Sequence, residues 1–237
     1  MSNLDHEQMQ RLRRALSAAY AAPFVADVEG HIWETIFGFV KGLPFVDPLS
    51  VRSKHLYDLV DSRNRVGWSA KALLVNKFSL GCEFELVIQR ANIFKKHAEL
   101  GFEKLSLNSP EERLGAALLT HWHAKVLGDA NIQKVDSPRI AVLLKSRDRS
   151  SFALVDTPID VYETKDVIWK WTGADKSGLQ GVRKADGFVV YRWYPGQTQF
   201  FERFKLSENA THLTLKPQRL TLDKAIEMLS GAVQGNE

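Results

Sequence analysis

The chain has a single cysteine, Cys82, among 237 residues. One thiol cannot close an intrachain disulfide, which excludes a disulfide-stapled scaffold and makes a reducing cytoplasm the expected compartment. No His or Asn stands beside Cys82 in sequence, so it reads as an inert thiol rather than a nucleophile. Nowhere does an apolar run approach the roughly 20 residues that span a bilayer, and no repeat or low-complexity tract appears. The opening MSNLDHEQMQRLRRALSAAYAAPF is polar and amphipathic, without a basic segment leading into a continuous apolar one, so no signal peptide is expected. A strong charge of one sign is missing too. The net charge of +4 is compatible with a polyanionic partner but decides nothing alone.

What is present is an ordinary globular composition, 44% hydrophobic and 25% charged. Apolar spacing predicts a helix over 5–22, with Met9, Leu12, Leu16 and Tyr20 on one face, and a second over 25–41. A loop over 42–50 follows, broken at Asp47-Pro48. Length and composition suggest a helix over 84–100, and Ser109-Pro110-Glu111-Glu112 signals the start of another, running to about 127. After Pro138 the texture becomes strand-like (RIAVLLKS, SFALVDT, VIWKWT, GFVVYRWY, TQFFERFKL), with turns at 146–151, 173–178 and Pro195-Gly196, and a last helix over 221–233. The expected fold class is α/β or α+β in one domain over 1–237, with a core at 23–130 and a β-rich part at 138–237.

The stretch HLYDLVDSRNRVGWSAKALLV (55–75) reads as a hairpin whose apolar strands carry Asp58, Ser69 and Lys71. Charged side chains are seldom buried unless paired or bound to metal. With a four-residue turn at 62–65, Asp61 falls opposite Val66 and Asp58 opposite Ser69; alternation then places Asp58, Ser69 and Lys71 on one face. Glu85 follows Lys71 by fourteen positions, and on a helix it would share a polar stripe with Gln89, Asn92 and Lys96. Asp58 and Glu85 together would suit Mg²⁺, which takes carboxylate oxygens and keeps waters for a substrate phosphate. A lysine beside it could orient water and stabilise the developing charge.

An Asp, a hairpin turn and an acid-x-Lys strand resemble the signature of the PD-(D/E)XK nuclease superfamily. Tyr57 stands where that name has Pro, and Ser69 where it usually has an acid. Ser69-Ala70-Lys71 followed at a distance by Glu85 is similar to a variant found in some restriction endonucleases, which take their second acid from the next helix. The resemblance covers about 30–96. It implies a central mixed sheet flanked by helices, a Mg²⁺-dependent type II restriction enzyme, Asp58 and Glu85 as metal ligands, Lys71 as the catalytic lysine, Ser69 in support and Glu34 as a further acid. Double-stranded DNA would be the substrate, cut by a homodimer whose two-fold axis matches a palindromic site. An arginine-rich element that CCGG-cutting members carry after the lysine has no counterpart in Leu73-Leu74-Val75-Asn76-Lys77, so no sequence preference is carried over. The same core also serves repair and mobile-element nucleases, and a non-catalytic nucleic-acid-binding protein is the alternative from another class.

Other patterns have a structural explanation beside a functional one. His121 and His123 stand two apart, which on a helix points them to different sides and argues against a shared metal. Arg147 and Arg149 fit either a DNA-contacting loop or a polar turn. The aromatic and basic interleaving over 169–199, with Trp169, Trp171, Trp193 and Tyr194, fits nucleic-acid contact or cross-strand aromatic pairing. Within it, Lys176, Gln180, Arg183 and Lys184 of the polar turn at 173–184 are the candidate DNA-facing residues.

Overall fold

The computed structural model describes residues 4–45, 55–76, 79–216 and 218–234; the loop expected at 42–50 lies outside the described residues from 46 onward, as does Lys77. Helix α1 (His6–Ala21) begins where the sequence places it. Asp5 accepts from the Gln8 amide while the Gln8 side chain accepts from the Asp5 amide, a reciprocal cap that satisfies two otherwise orphaned donors. Leu12, Leu16 and Tyr20 are buried along one face. Helix α2 (Gly30–Lys41) starts five residues later than expected. The stretch before it has no regular structure, and the fully buried Lys145 binds there: its Nζ donates to the Val28 carbonyl at 2.9 Å and pairs with Asp27 at 3.0 Å. Burial alone would raise the Asp27 carboxyl, but bonds from Tyr20 and Lys145 outweigh it and hold Asp27 below the usual range.

The chain divides into two compact units interleaved in sequence: the first takes 1–78, 135–158 and 208–237, the second 79–134 and 159–207. One crossing lies beside the change of texture near Pro138, but each unit draws on both halves of the chain.

In the first unit, β1 (Leu59–Asp61) and β2 (Val66–Val75) form the hairpin. Strand β2 then pairs in parallel with β4 (Ser137–Ser146), β4 pairs antiparallel with β5 (Ser151–Pro158), and β5 with β10 (Thr211–Thr214). The parallel pair requires a long crossover, and the excursion through the second unit supplies it. Trp68, Ala70, Ala141, Leu143, Phe152 and Leu154 line the sheet face on which α1 and α2 pack. Helix α5 (Leu222–Gln234) leaves Leu222, Ile226 and Leu229 exposed.

The second unit is a sheet in the order β3 (Glu83–Arg90), β9 (Gln199–Lys205), β8 (Val189–Tyr194), β7 (Leu179–Arg183), β6 (Val167–Trp171), with α3 (Ile93–Lys96) and α4 (Glu111–Gln133). Two expectations fail here. Residues 84–90 form a strand, not a helix, and only a single helical turn follows. The segment 173–184 is a turn only in its first half; β7 occupies the rest. Trp169 and Trp193 are core residues: Trp169 stacks on Tyr191, and Phe94 meets Trp193 edge-on. At Gly115 of α4 a Cβ would lie 2.2 Å from the Trp169 indole, so only glycine lets the helix approach β6 this closely. These two tryptophans therefore belong to the packed core of the sheet. No helix among the described residues is long and apolar enough to cross a membrane.

Glu202 is the odd member of this core. It is 5% exposed, and its Oε2 has no hydrogen-bond partner. Burial, with Asp160 adding to it, pushes its carboxyl up to about 8. A carboxyl whose folded pKa lies above its unfolded value makes the unfolded state the better proton donor. Its contribution to stability is therefore complete below the unfolded value and lost as pH rises toward 8. Glu202→Gln, neutral throughout, is expected to be more stable than the wild type by roughly 2 kcal/mol at pH 7, at about 1.4 kcal/mol per pKa unit less a cost for unpaired amide protons. Urea denaturation across pH 5–9 checks this: the variant's advantage should grow steadily from pH 5 toward pH 8, and parallel curves would contradict it.

Candidate functional site

The hairpin adopts the register that its pattern predicts: Asp61 pairs with Val66, Val60 with Gly67 and Leu59 with Trp68. The turn is held by Asp61, whose Oδ1 accepts from the Arg63 and Asn64 amides and whose Oδ2 accepts from the Asn64 side chain, while Arg65 closes it at φ +54°. These bonds, the Asn64 side chain first, hold Asp61 below the usual carboxylate range. Gly67 is required at the far side, since a Cβ would lie 2.6 Å from Val135 Cγ2 and 2.9 Å from the Tyr57 ring.

One register step before Leu59, Asp58 arrives beside Ser69, Ala70 and Lys71. Its Oδ2 accepts from the Ala70 amide at 2.8 Å and from Lys71 Nζ at 3.2 Å. The same ammonium donates to the Ala70 carbonyl at 3.2 Å. Both side chains are partly open to solvent, Lys71 at 34% and Asp58 at 22%. Ser69 lies two residues before Lys71 on the same face, buried at 2% exposure, and its hydroxyl has no hydrogen-bond partner.

Two oxygens of different origin, a carboxylate and a peptide carbonyl, thus converge on one cation, and that cation is presently an ammonium. Hard oxygens of this kind suit Mg²⁺, which often takes one or two carboxylates and fills its remaining positions with water and phosphate oxygens. Asp58 Oδ2 and the Ala70 carbonyl are the hairpin atoms that could hold such an ion, one carboxylate rather than two.

The second expected carboxylate stands on a strand, not on a helix. Glu85 belongs to the other unit, on β3, where it pairs with Arg192 at 3.1 Å and lies 3.7 Å from Arg203. Its expected stripe dissolves for a physical reason. A strand alternates faces, and an irregularity between Val87 and Gln89 turns Gln89 inward, where its Nε2 is buried. Glu34 is on α2, which packs on the sheet face of Trp68 and Ala70, so it does not share the face of Ser69 and Lys71. Among the described residues no three His, Cys, Asp or Glu side chains are grouped to hold a metal. His121 and His123 lie on α4, and burial lowers the pKa of both.

The expected DNA-facing residues fall in both units. In the first unit, Arg147 donates to Asn76 and Arg149 to Asp27 in the β4–β5 turn, where both arginines support local structure. In the second, Lys176 donates to the Leu107 carbonyl and to Asn108, and Arg183 forms a fork with Asp186 and reaches the Tyr162 hydroxyl. Asp186 is held down to about 2 by that guanidinium. Lys184 is exposed, and Gln180 sits on the open face of its sheet opposite Lys170 and Arg192. Residues that the sequence reading passed over join Gln180 there: Arg90, Phe201, Arg203 and Lys205. For the last three the signal was the alternation in QFFERFK, with Gln199, Phe201, Arg203 and Lys205 at every second position.

Compared with known protein families, curated proteins and solved structures, the chain matches none.

Proposed function

We propose that the chain is a Mg²⁺-dependent DNA endonuclease whose catalytic centre is the edge of the β1–β2 hairpin. The observation that carries this reading is the convergence of Asp58 Oδ2 and the Ala70 carbonyl on Lys71 Nζ, beside a buried serine hydroxyl. Asp58 and the Ala70 carbonyl would hold the metal, and the unpaired Ser69 hydroxyl would supply a polar contact from beneath. Bound there, Mg²⁺ would acidify a coordinated water and stabilise charge on a phosphate oxygen. Lys71, released from Asp58, would orient the attacking water, whose oxygen bonds to phosphorus as the P–O bond to the leaving sugar oxygen breaks. Site-specific cleavage of duplex DNA by a homodimer, as in type II restriction, is the most specific form of this reading. Discrete fragments from unmodified DNA would distinguish it from a repair or mobile-element nuclease.

A second reading, a nucleic-acid-binding protein without catalysis, is favoured by Asp58 being the one carboxylate in the described contacts of Lys71 and by its pairing with that lysine. Metal separates the two. Mn²⁺, read by electron paramagnetic resonance as a surrogate for Mg²⁺, is expected to bind the wild type and to bind Asp58→Asn at least tenfold more weakly. Equal binding by both proteins, or none by either, would remove the hairpin as a metal centre.

A further inference from the structure

One face of the second unit's sheet is covered by α4, and the other is open. Cross-strand partners share a face, and on the open side they form a row through all five strands: Val87, Phe201, Arg192, Gln180 and Lys170. None of these is buried, and Val87 is 40% exposed. Four strand spacings of about 4.8 Å make the row roughly 19 Å long, the length of a few nucleotides. A second row, Arg90, Gln199 and Tyr194, runs beside it.

The chemistry of this face is mixed in a specific way. Tyr194 meets Phe201 edge-on at 5.4 Å, so two partly exposed rings stand together near the sheet's centre. Arg192 is held between the Glu85 carboxylate and the Tyr194 hydroxyl, each at 3.1 Å. Arg203 is fixed by Glu83 at 2.6 Å. Arg90, Lys170 and Lys205 are exposed, while Glu83 and Glu85 supply the only acids among the residues that these strands pair across the face. The face is therefore positive, its two arginines are pre-positioned, and it offers aromatic surface in reach of amide side chains.

We propose that this open sheet face binds single-stranded nucleic acid: bases stack on Phe201 and Tyr194, and Lys170, Arg90 and Lys205 neutralise phosphates. Exposed aromatic faces serve unpaired bases, since a duplex keeps its bases stacked on one another, and stacking is worth about 1–3 kcal/mol per base. The proposal stands independently of the nuclease reading, since it needs neither the hairpin nor a metal.

The test is fluorescence anisotropy, in EDTA so that no cleavage intervenes, with labelled oligothymidylate, oligouridylate and a mixed-sequence duplex, each of about 20 nucleotides or pairs. The wild type should bind the single strands more tightly than the duplex. The two oligomers distinguish DNA from RNA as the source of the strand. Phe201→Ala with Tyr194→Ala should weaken binding at least about tenfold. Lys170→Gln, an exposed change that does not threaten folding, should lower the salt dependence by about 0.7 in log–log slope between about 50 and 200 mM salt. Preference for the duplex, no binding, or binding indifferent to both variants would each overturn the proposal.

Discussion

Lys71→Ala should lose Mg²⁺-dependent DNA cleavage by on the order of 100- to 1,000-fold, the range found when one preorganised charge-stabilising group is removed. The fold should scarcely notice, because a pair between side chains 34% and 22% exposed is worth no more than about 1 kcal/mol. The same substitution should tighten Mn²⁺ binding at least about fivefold. It removes an ammonium that sits 3.2 Å from both candidate ligand oxygens, and a unit charge at such a distance is worth about 1 kcal/mol even in water. Cleavage falling while metal affinity rises is a signature that a structural lysine would not give. Loss of both, or a large drop in thermal stability, would make the pair part of the hairpin's architecture.

Asp156→Ala should be the most damaging substitution for stability in the first unit, at about 3–5 kcal/mol. The Asp156 carboxylate accepts from Arg139 at 2.6 Å, Lys41 at 2.9 Å and the Trp68 indole at 3.2 Å, and its side chain is 2% exposed. Removing it leaves two cationic side chains, 8% and 13% exposed, without their counter-ion. This pair of bridges ties the end of α2 to β4 and β5. Chemical denaturation of the variant measures the cost directly. A change below about 1 kcal/mol would mean that water takes over the carboxylate's role, as at exposed bridges.

The hairpin was legible because three independent signals agreed: alternation, a polar turn headed by Asp61, and apolar runs of strand length. Its register followed from the turn length alone. The same reasoning failed over 84–100, where FELVIQR was read by length and composition. Its alternation, with Phe84, Leu86 and Ile88 buried, was the better guide, and the strand's pairing with Gln199–Lys205, more than a hundred residues away in sequence, overrode the helical tendency. That one error put Glu85 on a helical stripe, whereas β3 sets it beside Arg192 and Arg203. Buried pairings such as Lys145 with Asp27 were illegible for a different reason, since they join residues far apart in the chain and leave no local pattern. The tryptophans were visible as a group, but composition alone cannot separate a stacked core from an exposed surface. Only the cross-strand register shows that Trp169 and Trp193 face inward while Phe201 and Tyr194 face out.

The most direct measurement is the fate of covalently closed, unmethylated circular duplex DNA incubated with the purified protein in Mg²⁺ and, separately, in EDTA. Nicked, linear or fragmented DNA is expected in Mg²⁺ only, and a closed circle in EDTA. A circle that stays closed in both, with the protein bound to it, would contradict a catalytic hairpin.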